Sequence, residues 1–163
     1  MSDAKHTLVA LVEDKPGVLN RVASLFRRRA FNIQSLAVGH SEQPGLSRMT
    51  VVVSGDSAEI EQVRKQLEKL INVVRVSDIT KAAIVARELS LIKVKATAST
   101  RSEIIQLVDI FRANIIDVAS DSLTVEVTGD ENKVESLIEL LRGFGIKEIT
   151  KTGRIALTRG NNL

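Results

Sequence analysis

The stretch L-V-E-D-K-P-G-V-L-N-R-V-A-S-L-F-R-R-R-A-F-N-I-Q-S-L-A-V, from Leu11 to Val38, decides the fold. It reads as strand, tight turn, helix, turn, strand. Pro16 fixes its own φ, and Gly17 can adopt backbone conformations closed to other residues, so Asp14-Lys15-Pro16-Gly17 is a turn. Val18, Leu19, Val22, Leu25 and Phe26 then recur at the i, i+3, i+4 spacing of an amphipathic helix. A helix that opens behind a glycine points unpaired N–H groups outward, a ready place for a phosphate or a carboxylate.

Outward from this stretch the same alternation continues. Thr7 to Glu13 is apolar nearly throughout, as a central strand covered on both faces requires. Phe31 to Gly39 is a second strand. The polar loop His40 to Gly45 leads hairpin-fashion into a third, Leu46 to Val53. The helix between the first two strands ends near Arg29-Ala30, and Arg27-Arg28-Arg29 reads as a solvated last turn favoured by the helix dipole rather than as a phosphate patch. Asp56, with Glu59 three residues on, marks a capping box for a second helix whose buried stripe is Ile60, Val63, Leu67, Leu70 and Ile71. Val73 to Ile79 is a fourth strand. The order βαββαβ closes, by right-handed crossovers, into a four-stranded antiparallel sheet with both helices on one face.

After Lys81 to Ala86, whose periodicity assigns no element, the order repeats. Leu89 to Ala96 alternates as a strand. Thr100-Arg101-Ser102-Glu103 has the spacing of a capping box, ahead of Ile104, Ile105, Leu107, Val108 and Phe111. Ile115 to Ser120 and Leu123 to Thr128 form a hairpin in which Leu123, Val125 and Val127 face the core. Asp130 to Gly143 is the last long helix, with Gly143 as its C-cap, and Ile146 to Lys151 is a closing strand. The fold class is α+β: two tandem βαββαβ units, 1–80 and 88–163, joined by a linker at 81–87. The second unit has no glycine turn ahead of its helix, so a small anion belongs to the first.

Composition narrows the chemistry. The 163 residues are 44% hydrophobic, enough to build a core, but only 2% aromatic, so that core is Val, Ile, Leu and Ala. There is no cysteine, which excludes disulfides, Cys-ligated zinc, iron–sulfur clusters and thiol nucleophiles. Against 20 acidic residues stand 23 basic ones, mixed along the chain, an ordinary surface rather than a nucleic-acid footprint. No run approaches the roughly 18 apolar residues of a membrane span, and Met1 to His6 lacks the pattern of a secretory signal, so a cytoplasmic location is expected. The only histidines, His6 and His40, fall in an expected frayed terminus and a loop, without partners at metal-ligand spacing. Glu13 and Asp14 are turn formers rather than an acid/base pair, because neighbours on a strand point to opposite faces. No catalytic residue, metal site or cofactor motif emerges.

Gly17, Leu19, Arg21, Leu25-Phe26, Arg29, Phe31-Asn32-Ile33, Ser35-Leu36, Val38 and Leu46-Ser47-Arg48-Met49-Thr50, with the closing Gly153 to Gly160, resemble the regulatory (small) subunit family of acetolactate synthase, also called acetohydroxyacid synthase. That resemblance implies an N-terminal ACT domain at 1–80, an amino-acid-sensing and dimerising module of ferredoxin-like fold, followed by a C-terminal ferredoxin-like domain. It implies a non-catalytic subunit that activates a separate catalytic large subunit and makes it sensitive to valine. The thiamine diphosphate, FAD and magnesium of that reaction would belong to the partner. It further implies a homodimer whose effector site spans two chains. The valine carboxylate would meet the backbone N–H groups around Gly17, Val18 and Leu19, with Asn32 and Ile33 approaching from the other subunit. Asp14 and Asn32 would accept from the ammonium; the family often carries Asn where this chain has Asp14. RNA binding, which shares the βαββαβ order, needs aromatics that Leu8 to Val12 and Met49 to Val53 lack. A free-standing ACT-domain sensor controlling transcription or another enzyme is the alternative.

Overall fold

The computed structural model describes residues 4–29 and 31–160. In chain order the elements are β1 (Ala4–Glu13), α1 (Val18–Arg28), β2 (Asn32–His40), β3 (Leu46–Gly55), α2 (Ser57–Glu68), β4 (Val73–Asp78) and β5 (Ile84–Lys95). Then come α3 (Arg101–Ile110), β6 (Asn114–Val118), β7 (Ser122–Gly129), α4 (Glu131–Arg142), β8 (Ile146–Lys151) and β9 (Ile155–Thr158). The first sheet runs β2-β3-β1-β4 and the second β6-β7-β5-β8, with β9 paired to β5. Every paired neighbour on these two paths is antiparallel. Both are the ferredoxin-like arrangement that two βαββαβ repeats dictate.

The chain forms two compact units, residues 1–85 with 154–163, and residues 86–153. In the first, the two-residue period of the strands sets which side chains meet the helices. Leu8, Ala10 and Val12 of β1 and Met49, Val51 and Val53 of β3 face α1 and α2. There they pack on Val18, Val22 and Phe26 from one helix and Ile60, Val63 and Leu67 from the other. In the second unit Ile92, Val94, Leu123, Val125 and Val127 pack on Ile104, Val108, Val134, Leu137, Ile138 and Leu141. The aliphatic core expected from composition is the one observed, with Phe26 its largest buried side chain in the first unit.

Caps explain where helices start. Asp56 accepts from the backbone N–H groups of Ala58 and Glu59 at 2.8 and 3.4 Å, and Asp130 accepts from Lys133 N–H at 2.9 Å. The Thr100 box does not form. Thr100 has a helical backbone rather than the extended one a cap needs, and its hydroxyl instead accepts from Thr97 N–H at 2.9 Å. Ile71 is not part of the α2 stripe but 88% exposed. The helix stops at Glu68, and the i→i+3 bonds from Lys69 and Leu70 N–H to Gln66 and Leu67 carbonyls tighten the chain and turn Ile71 out. Gly143 caps α4 with a right-handed backbone, and the left-handed residue is Gly145, φ 99°. At the end of α1, Arg29 is the cap; Ala30 lies outside the described residues, as do Met1 to Asp3.

His6 is a correction. It is not frayed but buried in β1, opposite Val53, because β1 begins at Ala4 and even-numbered positions point inward. Its Nδ1 stands 3.6 Å from Asp78 Oδ2, and neither ring nitrogen has a hydrogen-bond partner. His40 likewise belongs to a strand, closing β2 opposite Ser47.

Candidate functional site

The turn ahead of α1 is held by two neighbours that are remote in sequence, Gly45 and Asn72. Asp14 N–H donates to Gly45 O at 2.9 Å, tying it to the β2–β3 hairpin. Glu13 N–H donates to Asn72 O at 2.8 Å, and Asn72 Nδ2 returns a bond to Glu13 Oε2 at 2.9 Å, tying it to the start of β4. Arg21, one turn into α1, donates to Asn72 Oδ1. Lys15 Nζ lies 2.9 Å from Glu13 Oε2. The Lys15 and Asn72 hydrogen bonds hold the Glu13 carboxyl below its usual range, so the positive charge of Lys15 is locally balanced.

Within this frame Gly17 is the N-cap of α1, at φ 85° and ψ −10°, a left-handed conformation that favours glycine. Nothing lies within 4 Å of where a Cβ would stand, so the space in front of the helix is open. No side chain caps α1 and its first turn carries no acidic residue. The macrodipole and first-turn N–H groups of this helix are therefore not met by any group of the loop's own side chains. The Val18 side chain is 4% exposed and belongs to the core, so Val18 presents only backbone; its N–H makes a long 3.4 Å bond to Lys15 O. Leu19 is half-exposed beside it. The Asp14 carboxylate is exposed, with Oδ2 at 3.1 Å from His40 Nδ1. That pairing comes from strand register, which no local pattern of His40 signals.

Asn32 and Ile33 stand elsewhere. They open β2, at the edge of the first sheet, where Asn32 is exposed and pairs in register with Ser54. With Ala23, Arg27 and Phe31 they line a shallow depression at the far end of α1. The 11 residues of α1 rise about 16 Å, so one chain does not bring Gly17 and Asn32 together.

The equivalent corner of the second unit is closed by its own side chains. Thr97 Oγ1 lies 3.1 Å from Thr100 Oγ1 and 3.0 Å from Ser99 Oγ, and Arg101 Nη2 donates to the Ala119 and Ser120 carbonyls at 3.0 Å each. Among the described residues no group of three or more His, Cys, Asp or Glu side chains could hold a metal ion. Among the described residues no helix is long and apolar enough to cross a membrane.

The hairpin beside the site carries a titratable clamp. Arg48 donates to both oxygens of Glu42, at 2.8 and 3.1 Å. That fork lowers the Glu42 carboxyl from 4.5 to about 2. A carboxyl depressed on folding contributes stability above its unfolded value and loses it as pH falls through the folded one. The clamp's contribution should therefore fade between about 4.5 and 2. Glu42→Gln should flatten the acid limb of a melting-temperature-versus-pH curve while changing neutral stability little, because the ion pair is exposed and screened by solvent. An acid limb identical to wild type would show that the fork forms no clamp in solution.

Residues 87–160 match the family described as the small subunit of acetolactate synthase, and residues 8–75 match the AHAS small subunit-like ACT domain. The chain is 58% identical over 157 residues to the probable acetolactate synthase small subunit of Archaeoglobus fulgidus, covering 96% of this chain and 98% of that one. Over 160 residues it is 55% identical to the acetolactate synthase small subunit of Mycobacterium bovis, covering 98% and 95%. The crystal structure of the acetolactate synthase small subunit from Thermotoga maritima superposes with a TM-score of 0.88 at 46% identity, covering 97% of this chain and 99% of that chain.

Proposed function

The chain belongs to the acetolactate synthase small-subunit family, and we propose that it is a non-catalytic regulatory subunit that activates the catalytic large subunit and confers feedback inhibition by valine. The observation that supports an effector site is the glycine-opened, uncapped start of α1, held by a pinned loop with open space in front of it. Valine's carboxylate takes the N–H groups at Gly17, Val18 and Leu19. Asp14 in one chain and Asn32 with Ile33 in a second complete the site. Because one chain keeps those two sets at opposite ends of α1, the site requires a homodimer, assembled where β2 leaves its edge open.

Two or three charge-assisted hydrogen bonds of about 1.5–3 kcal/mol each, with about 1.5–3 kcal/mol for burying an isopropyl group, are set against the cost of immobilising the ligand. The balance is about −4 to −8 kcal/mol, or near-millimolar to micromolar affinity, which suits a sensor of a metabolite pool. Valine inhibits by binding one arrangement of the dimer more tightly than the other. Thiamine diphosphate, FAD and magnesium are the partner's, and the complex is cytoplasmic. The domain division at 1–80, 81–87 and 88–163 is kept as the proposal for effector-binding domain, linker and C-terminal domain.

The test mixes this chain with acetolactate synthase catalytic subunits and follows acetolactate formation with and without valine. Activation without valine and its loss with valine are expected; no effect on rate in either condition would refute the reading. Light scattering at micromolar concentration should give a dimer. A pure monomer with and without valine would remove the two-chain site.

A further inference from the structure

The face of the first sheet opposite its helices holds a cleft of about 200 Å³. Its floor comes from positions out of phase with the core, among them Leu11 of β1 and Ile79 just beyond β4, both buried. One wall is the closing segment of the chain, Ala156 to Thr158, which lies within the same compact unit. That segment is fastened at both ends. Arg154 Nη1 donates to Thr7 Oγ1 at 3.1 Å, and Arg159 N–H donates to Ala83 O at 2.8 Å.

Two arginines line the cleft and they differ in charge balance. Arg48 is engaged by Glu42 through the two-point fork and is neutralised. Arg75, on β4, has no hydrogen-bond or ion-pair partner among the described residues, and it interacts with Glu42 only through its field, without a direct contact. The cleft therefore offers one guanidinium with no direct partner among the described residues, above an aliphatic floor. Among the described residues no carboxylate lines it, and its volume is below the about 300–1,000 Å³ of clefts for drug-sized molecules.

We propose that this cleft is a second small-molecule site, distinct from the start of α1, and that it takes a short aliphatic monocarboxylate. One free cation selects one negative charge, and guanidinium matches carboxylate geometry. Leu11, Ile79, Ala156 and Leu157 select an apolar body of a few carbons. The lining offers an ammonium only the neutral hydroxyls of Ser77 and Thr158 and no carboxylate, so an amino acid has less to gain here than the corresponding carboxylic acid. Because the chain's closing segment forms a wall, occupancy also fixes that segment against the first sheet.

The probe is 3-methylbutanoate, titrated calorimetrically into the full chain, with 3-methylbutan-1-ol as the uncharged control. Saturable binding of the acid and not of the alcohol is expected. Arg75→Gln should weaken it about tenfold or more, the usual scale for losing a charge-assisted bond. Ser77→Leu, which fills the cleft from β4, should abolish it while the melting temperature stays at or above wild type. Gly17→Asp should bind as wild type does. The proposal is overturned if the acid gives no saturable binding, if the alcohol binds equally, or if both Arg75→Gln and Ser77→Leu leave the affinity unchanged. Loss of binding in Gly17→Asp also overturns it, because the carboxylate would then sit at α1. Failure here leaves the valine reading standing, since that site uses none of these residues.

Discussion

Gly17→Asp is expected to raise the valine concentration needed for half-inhibition by about 30-fold or more while activation of the catalytic subunit is retained. Gly17 is where the backbone passes in front of the helix, and open space lies ahead of it. An aspartate there puts a negative charge in the path of the effector's carboxylate. At an effective dielectric near 20, two unit charges ~4 Å apart repel by roughly 4 kcal/mol. Half of that, at 1.4 kcal/mol per decade, gives the 30-fold figure in order of magnitude. Asp is a favourable cap at an ordinary helix start, but φ 85° excludes that here, since a capping side chain needs an extended backbone. The new residue instead carries about 1–2 kcal/mol of left-handed strain, which Asp and Asn bear better than most. Gly17→Asn isolates that strain, being the same size without the charge. Inhibition curves on the reconstituted enzyme should separate the two variants, with Asn affected far less than Asp. Equal loss in both would make the effect steric; no loss in either would place the site elsewhere.

The second large effect is on stability. Phe26→Ala should cost about 3–5 kcal/mol, the usual range for emptying a large aromatic from a core. Phe26 is 1% exposed and is the largest fully buried side chain of the first unit, packed from α1 against the sheet. For a unit of this size each kcal/mol moves the melting temperature by roughly 4–8 °C, so a fall of well over 10 °C is expected. The second unit has its own core and should keep its transition, so calorimetry should resolve an early first-unit step. Valine sensitivity should vanish with that step, because the proposed effector site lies at the start of α1 and Phe26 holds α1 down. A single unshifted transition would mean that α1 does not depend on this contact. The two variants thus fail differently: one folds and cannot hold the effector, the other loses the helix that presents it.

The sequence alone determined the elements whose signal is local. Period-two runs such as Leu123, Val125 and Val127, the i, i+3, i+4 stripe from Val18 to Phe26, and the Asp56 cap are set by residues within one turn or one strand of each other. The two βαββαβ repeats then allow few topologies, and the sheets have the order those repeats require. The Pro16-Gly17 turn likewise marked the start of α1. What only the tertiary structure decided depends on residues far apart in the chain. Asn72 and Gly45 pin the turn, His40 reaches Asp14 through strand register, and His6 is buried because β1 starts earlier than its apolar run. Thr100 had the spacing of a cap but lost its hydroxyl to Thr97 N–H, a competition that spacing cannot express. The closing strand β9 shows the limit most plainly. Ile155-Ala156-Leu157-Thr158 is too short to declare itself a strand, and contacts more than seventy residues away in sequence decide its place, because pairing and burial are properties of neighbours in space.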